Sequence, residues 1–68
     1  MRTFYRMPKE DIKVEGMDEH KMLITVNLYK GQSYLTSEVD RHNQITVFTS
    51  HWVKLPIHLF SGEVPFTE

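Results

Sequence analysis

The run Lys21-Met22-Leu23-Ile24-Thr25-Val26-Asn27-Leu28-Tyr29 constrains this chain more than any other segment. Met22, Ile24, Val26 and Leu28 alternate with Leu23, Thr25, Asn27 and Tyr29. A period of two places alternate side chains on opposite faces, so the run predicts a strand with one strongly apolar face. Gly31 follows as a turn residue. The same alternation recurs in Asp11–Glu15, Ser33–Val39 and Gln44–Thr49. No stretch keeps a 3.6-residue apolar period over several turns, which excludes a long amphipathic helix.

The expected fold class is therefore all-β: a small antiparallel meander of about five short strands, forming a curled sheet or a small barrel. Residues 1–68 read as one domain, with 1–9 as an N-terminal arm ended by Pro8 and 61–68 as a C-terminal tail. Gly16–Glu19 reads as a turn, Gly31 as the centre of a tight hairpin into Ser33–Val39, and Asp40–Asn43 as a polar hairpin loop. On Ser33–Val39, alternation assigns Leu35 and Val39 to the core face and Tyr34, Thr36 and Glu38 to the other. Ser50–Phe60 is too long to extend the preceding strand unbroken. A fifth strand from Trp52 to Phe60, with Pro56 at an edge or bulge, is the favoured reading over a helical turn capped by Ser50. At the level of fold only, five strands with short turns resemble small barrels of the Sm-like, SH3-like and oligonucleotide-binding classes. The Lys-Gly-Phe-Gly-Phe type of RNA motif found in cold-shock proteins is missing.

Of the 68 residues, 40% are hydrophobic and 25% charged, a balance that suits a folded chain. Domains of this size bury only about 60% of their unfolded surface. Cysteine is absent, so neither disulfides nor thiolate-bound zinc can staple the core. Burial against a second copy or a partner is then expected to supplement it. The formal net charge of -1 weighs against a nonspecific nucleic-acid binder, which carries a basic excess. No run approaches a membrane span, and residues 1–6 lack the apolar region of a secretory leader. A cytoplasmic location fits these features.

Chemistry-bearing patterns are sparse. His20, His42, His51 and His58 show no metal-ligand spacing, and zinc needs three or four ligands converging at about 2.0–2.3 Å. Ser50 and His51 are adjacent and would face apart on a strand, so they do not make a nucleophile–base pair. Glu10-Asp11 and Asp18-Glu19 sit in polar turns, and the scattered Gly16, Gly31 and Gly62 form no phosphate-cradling loop. The expectation is no enzyme, no cofactor and no metal.

The aromatic residues carry the functional reading. Alternation puts Tyr29, Tyr34 and Phe48 opposite the apolar face, with Trp52 and Lys54 close by in sequence. Such a set is either covered by the arm or tail, or exposed. If exposed, it forms a protein-binding surface or a base-stacking platform. The leading expectation is a small interaction module, a regulator or inhibitor that binds a larger protein, using Tyr29, Tyr34, Phe48, Trp52 and Lys54. The alternative is a single-stranded nucleic-acid-binding barrel in which Arg41 joins Tyr34, Phe48, Trp52 and Lys54. A homo-oligomer is expected in either case.

Overall fold

The computed structural model describes residues 2–66; residues 1, 67 and 68, which belong to the expected arm and tail, lie outside the described residues. Among the described residues seven strands form two antiparallel sheets. They are β1 (Thr3–Pro8), β2 (Ile12–Met17), β3 (Leu23–Leu28), β4 (Tyr34–Ser37), β5 (Gln44–Phe48), β6 (Trp52–Pro56) and β7 (Phe60–Pro65). The five-stranded sheet has the order β6-β5-β4-β1-β7, and β2 and β3 form a separate pair. The all-β, antiparallel expectation is met, with seven strands rather than five and an open sheet rather than a closed barrel.

Within β3 and β5 burial follows the alternation that the sequence shows, whereas Met22 and Val39, expected on the core face, lie just outside β3 and β4 and are exposed. Val26 and Leu28 of β3 are buried, whereas Leu23, Thr25 and Asn27 are exposed. Ile45 and Val47 of β5 are buried and join Val26, Leu28 and Phe60 in the core. Ile12 and Val14 of β2, Tyr34 of β4, and Val53 and Leu55 of β6 pack against this cluster. The β2–β3 hairpin thus lays its apolar face on the inner face of the larger sheet. Its turn sits later than Gly16 suggests, because β2 runs through Gly16, which pairs with Ile24, to Met17. Asp18 builds the turn: its carboxylate accepts the N–H groups of His20 and Met22, both at 2.9 Å.

Three expected connections differ. Gly31 has φ +78° and does make a turn, but the chain there crosses from β3 to β4, which lie in different sheets. The turn is anchored to the other sheet through the bond from the Gly31 N–H to Pro8 O at 3.3 Å. Next, the strand from Trp52 stops at Pro56, and Ile57–Leu59 form one 3₁₀ turn before β7. Pro56 does sit on an edge strand, where its missing donor is tolerated. Finally, residues 3–8 of the expected arm form β1, which has neighbours on both sides, and residues 61–65 of the expected tail belong to β7. Both segments owe their place to long-range pairing, Phe4 with Thr36 on one side and Pro65 on the other.

A polar lock fixes β1. Arg6 is 2% exposed, and its Nη1 donates to Thr36 Oγ1 at 2.7 Å and to Ser37 O at 2.6 Å. The Thr36 hydroxyl in turn donates to Phe4 O at 2.8 Å. The Arg6 guanidinium also stacks on the Phe4 ring, 4.9 Å from its centroid. These bonds reverse the face assignment of β4: Thr36 is fully buried and Tyr34 packs on the core, while Leu35 lies on the opposite, outer face. A threonine whose hydroxyl is satisfied twice is buried without the usual desolvation penalty.

Candidate functional site

The outer face of β5 and β6 carries the candidate site. Phe48 and Trp52 are paired across the β5–β6 hairpin. Their rings meet edge-on, centroids 4.9 Å apart and planes at 78°, the geometry that aligns the positive edge of one ring with the negative face of the other. Phe48 is half-buried, whereas Trp52 is 73% exposed. Thr49, in the connecting loop, donates through Oγ1 to His51 O at 2.6 Å and through N–H to Val47 O at 3.1 Å. These bonds hold the hairpin end, and with it the indole.

Beside the rings lies a groove of about 360 Å³. It opens because β4 leaves the ladder after the Thr36–Val47 pair. Ser37 bridges the gap: its Oγ accepts the Thr46 N–H at 2.9 Å and donates to Glu38 O at 2.9 Å. Glu38, Val39 and Asp40, in the loop that follows β4, form the far wall. Asp40 shapes this loop, accepting at Oδ1 from the N–H of His42 at 2.8 Å and of Gln44 at 3.0 Å. Asn43 takes φ +59°, a left-handed conformation that asparagine tolerates. The Gln44 backbone N–H holds the Asp40 carboxyl below the usual carboxylate range; burial opposes it, and the His42 N–H and the Lys54 charge add smaller lowering effects. Lys54 closes the groove, its Nζ 3.8 Å from Asp40 Oδ2.

The five residues expected to act together divide into two groups. Phe48, Trp52 and Lys54 line the groove. Tyr34 lies on the other face of the sheet, against the core, where its hydroxyl accepts the Tyr29 N–H at 2.8 Å. Tyr29 is exposed in the loop after β3, apart from the groove. The walls contributed by Ser37, Glu38, Val39, Asp40, Gln44 and Thr46 escape sequence reasoning, since polar loop residues next to a strand carry no distinctive signal. The Asp40-x-x-Asn43 loop with a strand on each side is the one legible cue. The outer face at the other end of the sheet is partly covered: Phe66 packs edge-on against Tyr5, centroids 5.8 Å apart.

Among the described residues no three His, Cys, Asp or Glu side chains converge as a metal-binding group. No helix there is long and apolar enough to cross a membrane. No family model, curated protein or solved structure matches the chain. The class that the fold itself defines is a small open antiparallel β protein with a groove on one sheet face.

Proposed function

We propose that this chain is a non-enzymatic interaction module, a cytoplasmic regulator or inhibitor that binds a larger protein through the outer face of β5 and β6. The observation that carries the reading is Trp52, 73% exposed yet held by Phe48 at the rim of the groove. A large aromatic that leaves one side bare gives a partner apolar area at little cost in side-chain entropy, and tryptophan is enriched among binding hot spots. The Asp40–Lys54 pair and the Thr46 side chain supply a polar rim.

The groove favours protein over nucleic acid. Lys54 is its one basic lining residue among those described, is already beside Asp40, and shares the groove with Glu38. Phosphate backbones need a basic track. The test is affinity capture with the wild-type chain and Trp52→Ala, followed by reconstitution with the captured protein. The expected result is a specific partner whose affinity falls about 30-fold in Trp52→Ala, corresponding to roughly 2 kcal/mol. Sub-micromolar, salt-sensitive binding to a single-stranded oligonucleotide, abolished by the same substitution without unfolding, would replace this reading with the nucleic-acid one.

A further inference from the structure

β6 ends the five-stranded sheet, and among the described residues no strand lies beyond it. The ladder to β5 decides which of its backbone groups are free. Ile57 N–H donates to Asn43 O at 2.9 Å, and the pairs from Gln44–Pro56 to Phe48–Trp52 continue that register. Hydrogen-bonded and non-hydrogen-bonded pairs alternate in an antiparallel ladder. Val53 and Leu55 therefore bond to β5, while Trp52, Lys54 and Pro56 turn their backbone groups outward. Pro56, which has no donor, occupies a position where β5 asks for none. At the opposite edge, β7 is broken by a register shift against β1, contains Gly62 at φ +72°, and ends at Pro65, devices that blunt an edge.

We propose that β6 pairs antiparallel with β6 of a second copy of this chain, about a two-fold axis at Val53, joining the two larger sheets into one. The register follows by exclusion. An axis at Lys54 sets two lysines directly opposite each other and asks Pro56 for a donor it lacks. An axis at Trp52 sets Lys54 against the partner's Ser50, which lies outside the strand. An axis at Val53 sets Trp52 against the partner's Lys54, and Lys54 against the partner's Trp52. All four residues then use their outward N–H and C=O groups, and no proline is involved. On the outer face each Lys54, 65% exposed and only loosely held by Asp40, reaches across the partner's indole, a favourable cation–aromatic contact. On the inner face Val53, half-buried against the core, meets the partner's Val53 at the closest type of cross-strand approach. The edge is thus complementary to itself, which a two-fold interface requires.

This pairing rests on the backbone groups of the β6 edge and not on the partner reading, although it sets the second copy's Lys54 beside the Trp52 indole. The experiment is sedimentation combined with amide hydrogen exchange on the full chain, from about 5 μM to about 1 mM. A species of twice the 8.1 kDa protomer mass is expected to grow with concentration, with the Trp52 and Lys54 amides becoming protected in parallel. Lys54→Pro and Lys54→Ala both lose the side chain and its contact with the partner's indole, but only Lys54→Pro loses the outward donor. Lys54→Pro is expected to weaken the dimer at least tenfold more than Lys54→Ala. Protection of the Leu28 and Val47 amides reports that each variant is folded. A mass of 8.1 kDa throughout would overturn the proposal. So would a dimer in which Trp52 and Lys54 amides exchange freely, or protection of those amides by a foreign strand alone. The wild-type exchange data decide the matter even if Lys54→Pro fails to fold.

Discussion

At the β1–β7 end of the larger sheet, a buried guanidinium ties three strands together; at the β6 end, an indole stands in solvent. Arg6 reaches Thr36 and Ser37 on β4 and comes within 3.7 Å of Glu63 on β7. Its apolar neighbour Tyr5 is partly covered by Phe66. Trp52 meets Phe48 edge-on and is otherwise largely exposed. Both ends belong to one ladder, so backbone pairing does not explain the difference. One end places polar atoms where only protein can satisfy them, which specifies structure. The other leaves apolar area uncovered, the surface that the proposed binding would use.

The strongest way to break this contrast is Arg6→Ala. It strips the Ser37 carbonyl of its donor and the Phe4 ring of its cover, and is expected to cost about 2–4 kcal/mol, read as a shift in the urea midpoint. Arg6→Met should lose distinctly less, because an apolar chain of similar length refills the space. Equal losses would show that the charge, not the packing, holds the lock. Glu63→Gln tests the ion pair alone, and with Glu63 58% exposed its effect should stay within about 1 kcal/mol.

Gly62→Ala comes next. Gly62 sits at φ +72°, and an added Cβ would lie 3.3 Å from Met7 Cε. A left-handed conformation costs an L-residue about 1–2 kcal/mol, so the loss of thermal stability should be of that size and should loosen β7 first in amide exchange.

Trp52→Ala should move stability less than either, by about 0.5–1.5 kcal/mol for the lost ring pair, while abolishing most of the affinity for a partner. A Trp52→Ala chain that unfolds would make the indole structural and erase the contrast between the two ends.

The smallest expected effect is that of pH on the groove wall. The Asp40 carboxyl is held below its ordinary range in the folded chain, first by the Gln44 N–H. Its contribution is therefore complete above the unfolded value of about 4 and is lost as pH falls through the depressed folded value. Acidification below about pH 4 should speed exchange of the His42 and Gln44 amides relative to those of Ile45 and Val47. Asp40→Ala should abolish that difference.

Much of the contrast was legible in residue order, and the rest was not for identifiable reasons. In β3 and β5 the apolar residues alternate without a polar intruder on the core face, so period two assigns Val26, Leu28, Ile45 and Val47 correctly. In β4 the pattern points the wrong way, because Thr36 is buried through two hydrogen bonds to partners some thirty residues distant. Arg6 is buried for the same cause, because its acceptors lie some thirty residues away and nothing local marks a charge between Phe4 and Pro8 as buried. Phe48, Trp52 and Lys54 come together because a hairpin is local, whereas the groove beside them depends on β4 parting from β5. Tyr34 fell outside the group along with the reversal of its strand.

The register between β1 and β7 has a kinetic meaning as well. Phe4 lies opposite Pro65, and the Phe66 N–H reaches Thr3 O at 3.0 Å. While the chain is being made, β1 has no partner until β4 appears, and its second edge stays open until β7 follows. Ordering so long an intervening segment before those contacts form is entropically expensive. Folding should accordingly take milliseconds to seconds, as in other β proteins dominated by distant pairings, rather than the microseconds open to helical chains of similar length. Until then the first strand is a sticky, incomplete edge, and the buried arginine in its middle keeps it charged while it waits.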